Sequence, residues 1–323
     1  MPPSPKQHTP SFRGGVVDYN SGPALRSFLE GRGLSIRKRW GQNFLINPSA
    51  RRAIVEALGA EPGSAVWEIG GGLGCMTAEL LDRGLRVTAF EIDPGFCAVL
   101  EELFGADPAF TLVPGDALET WETAAAPPAA APAVAVTAAG IEASAAGLRL
   151  LGNLPYTVAA PLVGKLIERR RFFSRMVVTV QKEVALRMAA SPGSPDYSSL
   201  SVLCSSAYDM KIIMTLKGPS FYPVPHVDSA VVRFDLKEPL LPPPLFYPLL
   251  RALFAARRKT AANNLEHFLA ASGTMNKRLA AVSALERSGI PPGSRAETLP
   301  PEAFMRLAVE LEGLWKPPRG ERV

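Results

Sequence analysis

The stretch Ala65-Val-Trp-Glu-Ile-Gly-Gly-Gly-Leu-Gly74 decides the fold of this chain. Its first half is a short apolar run typical of a buried strand, and its second half is a loop with Gly70, Gly72 and Gly74. A helical pattern over 76–82 follows directly. Glycine lets a backbone turn sharply and approach a ligand closely, where a Cβ would collide. The order strand, glycine loop, helix therefore predicts a ligand-binding turn at the edge of a sheet.

Alternating strand and helix patterns continue on both sides of this stretch. Strands are predicted at 65–69, 87–92, 110–113, 148–151 and 176–180, and helices between them at 96–103 and 160–168. Asn47 followed by Pro48 predicts the start of one helix before the first strand. Parallel strands can be joined only by crossover connections, so the alternation predicts an α/β fold with a mostly parallel, Rossmann-like sheet.

The chain is long enough for two domains, since 323 residues with 47% hydrophobic side chains exceed one average domain. The predicted regions are a disordered tail over 1–20, a Rossmann-like domain over 21–238 and a small all-α domain over 245–323. In the last region, helical patterns cover 245–271, 275–288 and 300–314. Residues 123–147 are nearly all Ala and Pro, which predicts a loop insertion with neither strand nor helix.

Positive charge is grouped along the chain, although the net charge is only +5. The groups are Arg37-Lys38-Arg39, Arg51-Arg52, Arg169-Arg170-Arg171 and Arg257-Arg258-Lys259. Such grouping near candidate site motifs indicates an anionic partner such as a nucleic acid.

Cysteine usage and hydropathy argue against a disulfide-rich, thiolate-metal or membrane-spanning protein. Cys75, Cys97 and Cys204 are odd in number and form no C-x-x-C pair, so we expect neither a disulfide framework nor a metal site. No run of about twenty apolar residues and no leader pattern occurs, so we expect no membrane span and a cytoplasmic location.

Three acidic residues stand at predicted strand ends. Glu68 closes the first strand, and Glu91 closes the second at the spacing from the glycine loop where an acid accepts hydrogen bonds from ribose hydroxyls. Asp116 follows the third strand and can accept from an adenine amine. The three acids predict a nucleoside site, and at this point NAD, FAD and S-adenosylmethionine all stay open.

The segment Asn153-Leu-Pro-Tyr156 after the fourth strand favours one of these cofactors. Adenine's exocyclic amine is a poor nucleophile because its lone pair is delocalised into the ring. The side-chain carbonyl of Asn153 and the backbone carbonyl of Leu154 can accept hydrogen bonds from this amine, which favours a localised lone pair. Pro155 fixes the turn, and Tyr156 offers a flat face to an unstacked base. The segment predicts methyl transfer from S-adenosylmethionine to adenine N6, which needs alignment but no metal.

Several motifs carry a resemblance that covers nearly the whole folded length. They are Gly41-Gln-Asn-Phe-Leu45, Glu68 to Gly74, Glu91-Ile-Asp93, Gly115-Asp-Ala-Leu118, Asn153-Leu-Pro-Tyr156, Phe221 to Ala230 and Arg257-Arg-Lys-Thr260. In this order they resemble the KsgA/RsmA family of small-subunit rRNA adenine dimethyltransferases. One departure is Gly71, where the family usually carries proline.

The resemblance implies a class I S-adenosylmethionine-dependent methyltransferase with a helical RNA-binding domain. It implies that the cofactor is contacted by Asn43, Leu45, Gly70, Glu91, Asp116 and Asn153, to which the residue patterns add Glu68, Gly72 and Gly74. It also implies that Asn153 and Tyr156 face the target adenine. We expect RNA contacts at Arg37, Lys38, Arg39, Arg169, Arg170, Arg257, Arg258 and Lys259.

The implied substrate is a pair of adjacent adenines in the hairpin near the 3′ end of small-subunit rRNA. Each is converted to N6,N6-dimethyladenosine within the 30S subunit or its precursor, by a monomeric enzyme. Two alternatives stay open. One is an Erm-type enzyme, which resembles the family and methylates an adenine of large-subunit rRNA, and the other is an assembly factor that acts mainly by binding.

Overall fold

The structure is a computed structural model that describes residues 17–37, 41–121, 135–137, 140–142, 147–155, 158–168, 173–237, 242–271 and 275–312. Up to the fourth strand of the main sheet, its elements are α1 (Gly22–Gly31), β1 (Phe44–Leu45), α2 (Pro48–Ala57), β2 (Ala65–Ile69), α3 (Cys75–Asp82), β3 (Arg86–Glu91), α4 (Pro94–Phe104), β4 (Phe110–Pro114), α5 (Ala117–Thr120), β5 (Ala135–Thr137), β6 (Gly140–Glu142) and β7 (Arg149–Asn153). The later elements are α6 (Ala159–Glu168), β8 (Arg175–Gln181), α7 (Lys182–Met188), α8 (Ser199–Ala207), β9 (Tyr208–Leu216), β10 (Phe221–Tyr222), β11 (Ser229–Leu236), α9 (Phe246–Phe254), α10 (Ala261–Ala271), α11 (Lys277–Arg287) and α12 (Pro301–Leu311).

The main sheet confirms the predicted fold class. Its strand order is β4-β3-β2-β7-β8-β11-β9. The pairs from β4 to β8 are parallel, and β11 pairs antiparallel with β8. The chain runs outward from β2 to β4 and then returns to place β7 on the other side of β2. This reversal is the switch point where open α/β sheets bind ligands.

The region before the first sheet strand holds more structure than the sequence predicts. The predicted start of α2 is confirmed, because the side chain of Asn47 accepts a hydrogen bond from Ala50 N at 3.1 Å. The helix that precedes it, α1, was not predicted from the sequence. Val17 and Tyr19 are also buried, so these residues do not belong to a disordered tail. Residues 1–16 lie outside the described residues.

The prediction of one helical run over 245–271 is wrong, because the chain turns between α9 and α10. The buried side chain of Asn264 donates hydrogen bonds to Leu253 O at 2.8 Å and Ala256 O at 3.1 Å. In a continuous helix those carbonyls would accept from backbone N–H groups instead. The side chain therefore satisfies the carbonyl groups where α9 ends.

The Ala/Pro-rich stretch 123–147 contains an antiparallel pair, β5 with β6, where the sequence predicts no strand. The pair forms its own two-stranded sheet, separate from the main one. Apart from this pair and residue 147, the stretch lies outside the described residues.

The chain divides into two compact units. The first contains the described residues of Met1–Leu162, Phe172–Lys182 and Lys211–Asp235, and the second those of Val163–Arg171, Glu183–Met210 and Leu236–Val323. The sequence predicted domains that end at 238 and begin at 245. Whether these two regions fold independently stays a prediction. No helix in the described part of the chain is both long and apolar enough to cross a bilayer.

Gly74, the last glycine of the loop, packs closely against an aromatic ring. Its φ is +84°, and a Cβ at this position would lie 2.4 Å from Phe104 Cε2. Gly74 is the N-cap residue of α3 and lies outside the wall of the cavity described below. A left-handed conformation and a close aromatic neighbour both exclude a side chain here.

We predict that Gly74→Ala destabilises the protein more than Gly63→Ala. Gly63 also has a φ of +84°, but among the described residues no atom lies within 4 Å of the position that a Cβ would take. Both variants therefore place an alanine at the same left-handed φ. Only Gly74→Ala also forces the Phe104 ring to move, which adds about 1–3 kcal/mol. Urea unfolding of the two variants measures the difference. Equal losses of free energy would show that the ring moves aside without cost.

Candidate cofactor and catalytic site

A cavity of about 180 Å³ lies at the carboxyl ends of β2, β3, β4 and β7, all in the first unit. Its wall includes residues 41–44, 68–72, 90–92 and 115–118, with Asn153 and Pro155. The sequence predicted that these motifs meet at this edge, because the carboxyl ends of parallel strands lie together. The structure brings them into one cavity.

The glycine loop is held against the end of β3 by its backbone. The amide groups of Gly70 and Gly71 both donate to Phe90 O, at 2.8 and 3.3 Å. Gly70 and Gly72 have φ values of +81° and +57°, in the left-handed region that favours glycine. The nearest atom to a Cβ at Gly70 would be Asn153 O, 3.9 Å away, and both residues line the cavity.

Glu91 joins two turns at the cavity wall. Its carboxylate oxygens accept hydrogen bonds from Gly72 N at 2.7 Å and Asp93 N at 2.8 Å. The side chain is buried, and burial raises the pKa of its carboxyl group. Each carboxylate oxygen has two lone pairs, so Glu91 can still accept from a ligand hydroxyl.

Glu68 lies deeper in the same wall and is 1% exposed. Thr77 Oγ1 donates to its Oε2 at 2.7 Å. Burial raises the pKa of Glu68 to about 8, and the nearby charge of Glu91 also raises it, against the hydrogen bond from Thr77. At neutral pH this carboxyl group is therefore largely protonated.

Asp116 lines the cavity from an exposed position at the start of α5. Its Oδ1 accepts from Leu118 N at 2.8 Å and so caps that short helix. The structural role and the predicted ligand role are compatible, because the carboxylate has a second oxygen.

Asn153 is oriented by a hydrogen bond that spans 110 residues. Its Nδ2 donates to Asn43 O at 2.7 Å, and both residues line the cavity. Because the amide nitrogen donates to Asn43, the amide oxygen is the side-chain atom of Asn153 that can accept a hydrogen bond from a substrate. Asn43 also donates through its own Nδ2 to Gly41 O at 3.0 Å.

Of the other residues in the predicted catalytic segment, Pro155 lines the cavity and Leu154 does not. The side chain of Leu154 is buried and does not line the cavity, and its N–H donates to Thr179 O at 3.1 Å. Pro155 lines the cavity, and its carbonyl accepts from Val158 N and Ala159 N at the start of α6. Tyr156 lies outside the described residues.

The structure does not bring Leu45 to the cavity, contrary to what the resemblance implies. Its side chain is fully buried, and its carbonyl accepts from Arg51 Nη1 at 2.9 Å. Its neighbour Phe44 lines the cavity instead and packs edge-on against Phe96, with ring centroids 5.6 Å apart. Phe44 belongs to the same motif, but the resemblance implied contacts only from Asn43 and Leu45.

Sequence analysis also missed Gln42. Its Nε2 donates to Asp93 Oδ2 at 3.0 Å, and its Oε1 accepts from Arg37 N at 2.8 Å. These bonds tie the segment before β1 to the turn after β3. The signal was present in the sequence, because Gln42 belongs to the same motif as Asn43.

The predicted RNA-binding residues of the described regions have different surroundings. Arg37 lies 3.9 Å from Asp93, Arg257 pairs with Glu297 at 3.1 Å, and Lys259 Nζ lies 3.2 Å from His267 Nε2. Arg258 is exposed. Lys38, Arg39, Arg169 and Arg170 lie outside the described residues.

In the basic group Arg51-Arg52, Arg51 does not belong to a nucleic-acid surface. Arg51 is fully buried and pairs with Glu79 at 3.3 Å, so grouping of charge in sequence was misleading here. Within the described residues, no cluster of three or more His, Cys, Asp and Glu side chains is arranged to hold a metal ion.

We predict that stability falls as pH rises and that Glu68→Gln reduces this dependence. The folded state holds the Glu68 proton up to a pKa of about 8, whereas the unfolded state releases it near 4.5. The stabilisation is therefore complete below the unfolded pKa and is lost as pH rises through the folded value. Chemical unfolding between about pH 5 and pH 9 tests this, because that range spans the titration. Parallel stability curves for the two proteins would contradict it, since Glu91 titrates in both.

Comparison with solved structures agrees with this architecture. A dimethyladenosine transferase from Plasmodium falciparum has a TM-score of 0.66 at 24% identity, covering 83% of this chain and 97% of that one. The 23S rRNA methyltransferase ErmE has a TM-score of 0.55 at 24% identity, covering 83% and 99%. At this identity the two similarities establish the fold alone, which is that of class I methyltransferases.

Sequence comparison extends the result to the family. The ribosomal RNA small subunit methyltransferase A of Treponema pallidum is 40% identical over 306 residues, which cover 92% of this chain and 98% of that protein. The family model described as ribosomal RNA adenine dimethylase matches residues 33–312. This chain therefore belongs to the ribosomal RNA adenine dimethylase family, whose members are S-adenosylmethionine-dependent rRNA adenine dimethyltransferases.

Proposed function

We propose that this enzyme dimethylates the N6 amines of two adjacent adenines in the 3′-terminal hairpin of small-subunit rRNA. The substrate is the rRNA within the 30S subunit or its precursor, and the enzyme acts as a cytoplasmic monomer that contributes to 30S biogenesis. The Treponema relative is named for the small subunit, and the similarity covers nearly all of both chains. This supports the small-subunit substrate over the Erm-type alternative.

The cavity residues fit S-adenosylmethionine. Gly70 leaves open the space into which a Cβ would project, so the loop can approach a ligand closely. The buried carboxylate of Glu91 is suited to accept from ribose hydroxyls, and Asp116 to accept from the adenine amine of the cofactor. Asn43 and Glu68 complete the polar part of the same wall.

The chemistry requires little beyond alignment. When bound, S-adenosylmethionine supplies a methyl group activated by the positive charge on its sulfur. The Asn153 amide oxygen and the Leu154 carbonyl accept hydrogen bonds from the amine N–H groups of the target adenine, which localises the nitrogen lone pair. Neither oxygen is a base, so the proton that N6 loses on each methylation leaves to solvent. Pro155 fixes the turn that carries Asn153 and Leu154, and the proposed role of Tyr156 is to offer a flat face to the extruded base. Orientation of this kind supplies on the order of several kcal/mol.

The observation that carries this mechanism is the hydrogen bond from Asn153 Nδ2 to Asn43 O. It orients the amide before any substrate arrives, so the acceptor does not have to reorganise during the reaction. A surface asparagine without such a partner would rotate freely and lose this advantage.

We also propose that the basic groups contact the rRNA backbone. The residues are Arg37, Lys38, Arg39, Arg169, Arg170, Arg257, Arg258 and Lys259. The four described residues of this set, Arg37, Arg257, Arg258 and Lys259, are all exposed. Arg37 and Arg257 each pair with a carboxylate and Lys259 lies beside His267, so Arg258 has the strongest support among them. Phosphate contacts made by such side chains supply affinity without reading sequence.

We predict that purified enzyme with labelled S-adenosylmethionine forms N6,N6-dimethyladenosine in unmodified 30S subunits and not in 50S subunits. Mass analysis of the nucleosides measures the product. Label confined to 50S subunits would contradict the proposal and favour the Erm-type activity.

Asn153→Ala should lower the rate of this methylation about 100-fold or more, because it removes a pre-oriented group that acts on the reacting atoms.

Asn47→Ala is the matched control for that variant. Asn47 caps α2 through Ala50 N and does not line the cavity, so its loss costs about 1 kcal/mol of stability while methylation stays near the wild-type rate. If Asn153→Ala methylates as fast as Asn47→Ala, the catalytic role of Asn153 is wrong.

We predict that Arg258→Ala weakens 30S binding and lowers the slope of log affinity against log salt by about 1, because one phosphate contact is lost. Filter binding at several salt concentrations measures the slope. Arg83→Ala is the control with the same change of charge, since Arg83 pairs with Glu56 at 3.2 Å on the surface. Equal slopes for both variants would remove Arg258 from the proposed contacts.

A further inference from the structure

Residues before the family match take part in the core of the first unit. The family model begins at residue 33, yet Val17 and Tyr19 are 8% and 1% exposed. This segment packs with the apolar cluster that also contains Phe44 and Leu73, at the edge of the cavity. The segment is therefore placed to influence the cofactor site without belonging to it.

The hydroxyl of Tyr19 reaches the glycine loop. It donates to Leu73 O at 2.8 Å, across 54 residues of sequence. Burial raises the pKa of Tyr19 well above its ordinary value, so the hydroxyl stays protonated and remains a donor. Leu73 stands between Gly72, which lines the cavity, and Gly74, the N-cap of α3.

This bond complements the contacts that β3 makes with the loop. The N–H groups of Gly70 and Gly71 donate to Phe90 O, and Gly72 N donates to Glu91. Those contacts hold the first three glycines through their amide groups. Tyr19 holds the loop at Leu73 through a carbonyl, so it constrains a part of the loop beyond those amide contacts.

Arg51 fixes the position of Tyr19. Its guanidinium donates to Tyr19 O at 3.2 Å, to Asn20 Oδ1 at 2.6 Å and to Leu45 O at 2.9 Å, and it pairs with Glu79 on α3. A fully buried guanidinium must satisfy its donors, so these partners are held in one arrangement. The N-terminal segment, the cavity segment before α2 and helix α3 thus share one anchor.

We infer that Tyr19 is a positioning residue of the cofactor site, which holds the glycine loop in the conformation that accepts S-adenosylmethionine. It does so through Leu73 and without lining the cavity. The inference rests on the cofactor site proposed above, but not on which rRNA is methylated.

The test compares Tyr19→Phe with Tyr197→Phe. Tyr197 is also 1% exposed, and its hydroxyl also donates to a backbone carbonyl, Leu299 O, at 2.8 Å, but in the second unit. Both variants lose one buried hydrogen bond and should lose similar thermal stability. Only Tyr19→Phe should weaken binding of S-adenosylmethionine and S-adenosylhomocysteine in calorimetry, by about threefold to tenfold.

A second measurement needs no ligand. Hydrogen exchange of the amides from Gly72 to Thr77 should be faster in Tyr19→Phe than in the wild type, and unchanged in Tyr197→Phe. If Tyr19→Phe does not fold, Asn20→Ala replaces it, since that change removes one acceptor of Arg51 and should weaken cofactor binding in the same direction.

The outcomes separate this inference from the proposed function. Wild-type cofactor affinity and wild-type exchange in Tyr19→Phe overturn the positioning role, as does an equal loss of affinity in Tyr197→Phe. Failure of the wild-type protein itself to bind either ligand overturns the cofactor site, whatever the variants do.

Discussion

The carboxylate of Glu91 bonds the glycine loop to the turn that follows β3, and the shape of the cavity depends on this junction. Its two oxygens accept from Gly72 N and Asp93 N, which belong to different turns of the chain. A buried carboxylate needs donors, and a tight turn leaves backbone N–H groups that need acceptors. Each requirement is met by the other, so the two hydrogen bonds hold the loop against the turn.

Two buried ionisable side chains near the cavity, Arg51 and Glu68, are stabilised in different ways. Arg51 is paired with Glu79 and donates to two backbone carbonyl oxygens, so its charge is compensated by these partners. Glu68 accepts from the neutral hydroxyl of Thr77, and burial raises its pKa to about 8, so its charge is mostly removed. A paired ion can fix distant segments, whereas a protonated carboxyl group leaves the cavity wall less negative at neutral pH.

Local patterns in the sequence predicted the five parallel strands of the main sheet and helices between them, but not β9 and β11 of the same sheet. The strands at 65–69 and 110–113 and the start of α2 at Pro48 follow from apolar runs and a capping residue, which act over a few neighbouring positions. The same reasoning failed for the turn between α9 and α10, because the group that satisfies the end of α9 is the side chain of Asn264, further along the chain. Most residues predicted for the candidate site line the cavity, among them Asn43, Glu91 and Asn153, while their contacts with a ligand stay a prediction. Packing decides the exception at Leu45. Leu45 stood in a suggestive motif but faces the core, because side chains of adjacent residues in an extended segment point to opposite sides.

The sequence by itself determined the α/β class, the order of the parallel strands along the chain and most of the polar residue types that line the candidate site. Only the tertiary structure decided that Arg51 is a buried anchor and not a nucleic-acid surface, that Tyr19 bonds to Leu73, and that Asn153 is oriented by Asn43. Periodicity and turn chemistry act between near neighbours, whereas these contacts join residues far apart in sequence. Such pairs exist only once the topology brings their segments together.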